Sequence, residues 1–269
     1  MKHFRFICIV LFLVLAGIPG LFAQATFTGM SFNGSTGLFS IPTGRISWED
    51  SSSLGLDLGY HTIIRDGHAT HIPKAALSIF RWVELSGALD IQPENYFGYK
   101  DANDFLGGIK IRLPITRTAL SIGGSYHAMN FGNERRDYDV KQIYAAVTYT
   151  GSFFDMPAET TVVFGKSFID NRSDSNIDFG MGFDLVLLPN IFEGFVRWVT
   201  DFSNFSYSNE AFGADAHYRG VVNTGIRIDL SQLPPLNDFK AVIDIVMTDA
   251  FDSGRSFSAG FVFGLPIIR

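Results

Sequence analysis

The chain has 269 residues, 46% of them hydrophobic, with 21 basic and 27 acidic side chains and a single cysteine. The acidic balance argues against nucleic acid as a partner, and one cysteine excludes a disulfide framework. Mean hydropathy is +0.17, yet only the first two dozen residues hold a long apolar run, so the remaining apolarity is dispersed.

Met1 to Arg5 is basic, Phe6 to Ala16 is apolar, and small residues follow to Ala25. This order predicts a secretory signal peptide over residues 1–25, cleaved after Ala23 or Ala25. Cys8 lies inside the apolar run and would leave with it. Loss of Lys2 and Arg5 leaves 19 basic against 27 acidic residues. Residues 26–50 are rich in Gly, Pro and Thr, which break long strands. They are expected to form a plug or a first strand, and a plug over residues 26–46 would narrow whatever lies inside the remaining chain.

From residue 51 to 269 the pattern is one of alternation, in which successive side chains of a strand face opposite ways. Leu54, Leu56, Leu58 and Tyr60 share a face, with Asp57 and His61 on the other. Ala75, Leu77 and Ile79 follow, then Val83 to Ile91 backed by Glu84 and Asp90. Phe105 to Leu113 is backed by Lys110 and Arg112, and Leu120 to Tyr126 by Ser121, Ser125 and His127. Ile143 to Tyr149 makes a sixth segment, and the region around Thr160, Val162 and Phe164 a less distinct seventh.

The clearest stretch runs from Asn176 to Trp198. Ile177, Phe179, Met181, Phe183 and Leu185 alternate with Asp178, Gly180, Gly182 and Asp184. A turn at Pro189-Asn190 then leads to Phe192, Val196 and Trp198, backed by Glu193 and Arg197. Tyr218 to Ile228 is backed by Arg219 and Arg227, Phe239 to Met247 by Lys240 and Asp244, and Phe257 to Leu265 closes the set.

The count is twelve strands, an even number as in single-chain outer-membrane barrels. Odd-to-even links read as long and polar, from Arg65 to Pro73, Gln92 to Asn103, Asn130 to Asp139, Ser167 to Ser175 and Phe202 to Ala214. Even-to-odd links read as tight at Arg81-Trp82, Pro114 to Arg117 and Leu188 to Ile191, and longer at Gly151 to Pro157 and Ser231 to Asn237. Long loops on one rim and short turns on the other match extracellular loops and periplasmic turns. The fold expected is an all-β, antiparallel transmembrane barrel in the cell outer membrane, surrounded by lipid and lipopolysaccharide or its equivalent and inserted by the barrel-assembly machinery.

Charge sorts the two faces. On the apolar side, ionised residues occur near strand ends, at Lys141 and Lys166. The opposite side carries Asp57, Glu84, Lys110, Arg112, Asp178, Asp184, Arg197, Arg219, Arg227 and Asp244. A charge facing lipid at mid-depth costs roughly 2–4 kcal/mol, whereas a hydrated lumen tolerates it. These ten are the candidate lumen charges, acting as a salt-bridged filling or as a charge-selecting constriction. Tyr60, Trp82, Tyr126, Tyr149, Trp198 and Tyr218 fit an interfacial belt.

The stretch Gly34-Ser-Thr-Gly-Leu-Phe-Ser-Ile-Pro-Thr-Gly44, followed by Ser53 to Tyr60, resembles the amino-terminal signature of YjbH-type outer-membrane proteins. Gly44 stands where Ala is more usual, and the chain ends in Ile267-Ile268-Arg269 without a terminal Phe. The resemblance implies surface-polysaccharide export and no catalytic residues.

No phosphate loop, zinc spacing or nucleophile elbow is present. Ser125 and His127 share a strand face, but the pattern turns both to the lumen, away from a lipid substrate. His61, His68, His71 and His217 are scattered, so no metal or other cofactor is expected. The function expected is passive transport of small solutes or polysaccharide export, without catalysis. The alternative is a closed surface-interaction barrel using the loops at Tyr96-Phe97-Gly98-Tyr99 and Phe202 to Phe205, and third a phospholipase-like barrel enzyme.

Overall fold

A computed structural model describes residues 29–65, 67–94, 100–115, 118–129, 138–154, 156–169, 177–204, 220–233, 236, 238–251 and 255–268. The wall begins with β1 (Leu54–Arg65), β2 (His68–Ile79), β3 (Val83–Glu94), β4 (Lys100–Leu113), β5 (Thr118–Met129), β6 (Tyr138–Phe153), β7 (Met156–Ile169) and β8 (Asp178–Val186). A one-turn helix, α1 (Pro189–Phe192), leads to β9 (Val196–Ser203), β10 (Val221–Asp229), a 3-10 turn (Leu230–Gln232), β11 (Lys240–Thr248) and β12 (Ser256–Ile268). Each strand pairs antiparallel with its chain neighbours, and β1 pairs with β12 to close a twelve-strand barrel. Closure removes every sheet edge, the condition for strands to stand in hydrocarbon.

The faces sort as the alternation requires. Ile143, Ile245, Phe257 and Phe261 point outward and are more than half exposed. A continuous apolar outer surface of this kind is stable only against lipid. The inward positions hold Asp57, Glu84, Lys110, Asp184, Arg197, Arg227, Lys240 and Asp244, all buried. Even-to-odd links, the start of β1 and the end of β12 share one rim, called here the turn rim. The other is the loop rim.

Three connections differ from their sequence reading. Arg65 to Pro73 is not a loop, because β1 continues to Arg65 and β2 starts at His68, in register down to Arg65↔His68. Asp66-Gly67 is a hairpin dipeptide, with Gly67 at φ +85°, and Thr70 and Ile72 carry the inward alternation beyond it. The link from Gly151 to Pro157 is likewise tight, since β6 and β7 pair to Phe153↔Met156. The weakly patterned seventh segment is accordingly a full strand of 14 residues. Pro189-Asn190 is not a two-residue turn. Pro189 suits the first position of a helix, so α1 forms between Leu188 and Glu193, both left-handed, and β9 begins only at Val196.

Residues 29–53 lie inside the barrel. Two isolated bridges, Met30↔Thr36 and Gly37↔Pro42, fold them into a compact double turn. Leu38 N–H donates to Ile41 O at 3.0 Å and Thr43 N–H to Thr36 O at 3.1 Å. Leu38, Phe39 and Ile41 form an apolar cluster with Ile63, Ile72, Leu106, Tyr144, Val163, Val199 and Val246 from the wall. The segment joins the wall at the β1–β12 seam, where Ser53 N–H donates to Ile268 O at 2.7 Å.

Candidate functional site: the charged lumen and the segment inside it

An irregular segment buried in a barrel must find partners for its own peptide groups, since each unmet one costs about 1–3 kcal/mol. The wall supplies them as ionised side chains. Glu84 on β3 accepts Thr36 N–H at 2.8 Å and also the Thr36 hydroxyl. Asp201 on β9 accepts Phe39 N–H at 2.8 Å, Ser40 N–H at 2.7 Å and Ser40 Oγ at 2.9 Å.

Cations meet the carbonyls. Lys74 Nζ donates to Met30 O at 3.1 Å and Ser31 O at 2.7 Å. Lys110 Nζ donates to Thr36 O at 2.9 Å, and Arg227 Nη1 to Gly37 O at 3.2 Å. The Arg227 guanidinium also lies over the Phe39 ring, 5.4 Å from its centroid. Burying an ionised group is tolerable only when it is paired and bonded, and here peptide dipoles complete each set.

Ion pairs along the wall fill the remaining valences. Lys110 is 3.0 Å from Glu84, Lys240 3.0 Å from Asp57, Arg227 2.8 Å from Asp244 and Arg197 2.6 Å from Asp184. Trp48 Nε1 donates to Asp57 at 2.8 Å, and Lys240 to Ser47 Oγ at 3.0 Å, tying the foot of the segment to the wall. Arg45 reaches Glu159 and Glu49, each at 2.7 Å. Burial works against the Arg45 charge, yet these carboxylates hold its pKa above the ordinary value. Arg112 lies 3.3 Å from Glu49.

Nine of the ten lumen candidates are therefore inside the barrel, and Arg219 lies outside the described residues. Asp178 sits apart from the segment, accepting from Gln142 Nε2 at 2.8 Å and Ser167 Oγ at 2.6 Å. Sequence reasoning passed over Lys74, Asp201 and Thr148. Lys74 and Asp201 each occupy an inward register position, and Thr148 Oγ1 accepts Gly44 N–H at 2.9 Å. Only the alternation of β2, β6 and β9 could have marked them.

Ser125 and His127 both face the lumen. Ser125 Oγ lies 3.4 Å from Gln142 Oε1, and His127 Nε2 lies 3.2 Å from Asp104. His61 is lumenal, 3.4 Å from Asp244, whereas His71 is on the outer wall with Tyr60 Oη at 2.6 Å from its Nδ1. The loop at Tyr96-Phe97-Gly98-Tyr99 and residue Phe205 lie outside the described residues, as do His217 and residues 1–25.

No family model matches the chain, and no curated protein matches it. Solved barrels resemble it in fold. The KdgM porin in complex with disordered oligogalacturonate superposes with a TM-score of 0.51 at 7% identity, over 77% of this chain and 98% of the porin. A second KdgM porin structure gives 0.47 at 6% identity, over 78% of this chain and 98% of that one. The outer-membrane protein Omp33 of Acinetobacter baumannii gives 0.43 at 10% identity, over 80% and 98%. Fold and outer surface together are those of a bacterial outer-membrane barrel.

Proposed function

We propose that the protein is a passive-transport barrel whose route is closed by residues 29–53 and opens when that segment shifts. One observation carries the reading: the segment is held largely by ionised wall groups. A barrel closed for good needs only apolar lumen residues, which pack without desolvating charge. Glu84, Asp201, Lys74, Lys110 and Arg227 instead bond the segment in ways that water could replace one for one. Removing the segment would leave a polar, hydrated channel, the interior expected of a conducting barrel. The solute would be a small molecule or a saccharide chain, in line with the resemblance of residues 34–60 to polysaccharide-associated barrels. No catalytic step is part of this reading.

A permanently closed surface barrel is favoured by a different observation. Leu38, Phe39 and Ile41 are fully buried against the wall, and each such side chain contributes about 1.5–3 kcal/mol to holding the segment in place. The two readings part in planar bilayers. Ser40→Cys with Asp201→Cys, in a chain carrying Cys8→Ser, places two thiols where Ser40 Oγ and Asp201 Oδ1 are 2.9 Å apart. Bridged through disulfides by a short bis-thiosulfonate cross-linker, this variant should be silent, and reduction of those disulfides should restore conductance. Conductance that survives the cross-link removes the gate. Silence in both states, with the unmodified chain also silent, favours the closed barrel.

A further inference from the structure

We infer that the open channel selects cations, and that Asp90 and Asp104 near the loop rim set this preference. The inference rests on the gated-pore reading above and names the class of solute it passes. Four wall ion pairs at the level of the segment, from Lys110–Glu84 to Arg197–Asp184, cancel within the wall and contribute little net field once the segment has moved. The balance beyond them is acidic. Asp201 loses its three donors from Phe39 and Ser40, and Asp178 stands free of the segment. Opposing them are Lys74, released from two carbonyls, Arg112, released from Glu49, and Arg65 at the rim, while Glu159, released from Arg45, adds to the acidic side.

Register sharpens the argument. Asp90 on β3 is directly opposite Asp104 on β4, and both are buried. Like charges directly opposed across a strand pair are destabilising, and His127 Nε2, 3.2 Å from Asp104, meets one of the two. They face the lumen two positions nearer the loop rim than Ala88 and Leu106, which touch the apolar cluster around the segment. A second observation bears on what fills this part of the lumen. The amide nitrogen of Gln92, two residues beyond Asp90, is buried with no hydrogen-bond partner among the described residues, and so is Ser258 Oγ on β12. A buried unmet polar atom marks a place for water or a passing solute. The lumen beyond the segment thus offers places for water beside its acids, and carboxylates lining a wet passage favour cations.

The test is the reversal potential of the refolded full chain in a KCl gradient, recorded in its openings and in those of the reduced Ser40→Cys/Asp201→Cys variant. The expected sign is that of potassium over chloride in both, with a smaller ratio in the variant, which lacks Asp201. Asp90→Asn with Asp104→Asn should lower the permeability ratio by roughly fivefold, the scale of one unit charge acting across water at about 4 Å. If that pair fails to fold, judged by unchanged gel mobility on boiling, Asp178→Asn replaces it and should lower the ratio in the same direction. Chloride preference, or a ratio indifferent to these changes, overturns the inference while leaving the pore intact. A chain silent under every condition removes the pore and the inference together.

Discussion

At position 44 a single methyl group measures how closely the inner segment is fitted. A Cβ there would fall on the Ala119 carbonyl oxygen, with the Ala146 carbonyl oxygen 3.0 Å away. Both are backbone atoms of the wall, which cannot swing aside as a side chain would. The contact explains why the position accommodates Gly and leaves no room for a side chain. Gly44→Ala is expected to cost about 1–3 kcal/mol by overpacking, read as a lower midpoint of heat-modified gel mobility. Gly44 N–H also donates to Thr148 Oγ1 at 2.9 Å, so displacement of the loop would break a bond as well. Thr148→Val should therefore lower the midpoint in the same direction, and by less.

Among the elements, the turn between β2 and β3 carries two consecutive non-glycine residues in the left-handed region. Phe80 and Arg81 have φ of +50° and +64°, and Trp82 N–H donates to Ile79 O at 3.1 Å. This is the left-handed geometry that Asn-Gly adopts freely, whereas other residues pay about 1–2 kcal/mol each. Phe80→Asn with Arg81→Gly is expected to raise unfolding stability by roughly 1–2 kcal/mol, measured as a higher urea midpoint. A lower midpoint would show that Phe80, 72% exposed, is held by something at the turn rim. The same element shows why a tight link was legible at Arg81-Trp82 without its conformation. Strand alternation ended on either side, but nothing in Phe-Arg announces positive φ. At Asp66-Gly67 the dipeptide does signal a hairpin, but the largely polar stretch from His68 to His71 beyond it resembles a loop and masks the signal.

For the whole molecule, the period-two pattern carried most of the architecture. The lipid-facing sets from Leu54-Leu56-Leu58 to Phe257-Ala259-Phe261 are outward in the barrel, apart from Phe192 in α1, the buried Leu185, and Tyr218, which lies outside the described residues, because a slip of one residue would put Asp57 or Asp244 into hydrocarbon. Ile245, 56% exposed near the middle of β11, gives the test. Ile245→Arg should destabilise the barrel by about 2–4 kcal/mol in lipid vesicles, and a neutral result would put that face outside the membrane. What the sequence could not convey was the content of the lumen. Charges facing inward are compatible with water or with a filled interior, and only the third dimension brings Phe39 within reach of Asp201, 162 positions away.

Ser53 and Leu54 are consecutive, so the inner segment is an extension of the first wall strand. Wherever residues 29–53 go, they remain on a leash whose full reach is about 3.3–3.6 Å per residue. Their return is then a first-order event, governed by an effective concentration in the millimolar range for a short flexible tether. Open times should be insensitive to how many copies of the protein share a bilayer, and perfusing either side should not wash the blocker away. On the gated reading, inhibition would be supplied in cis, at fixed stoichiometry, with every copy carrying its own antagonist.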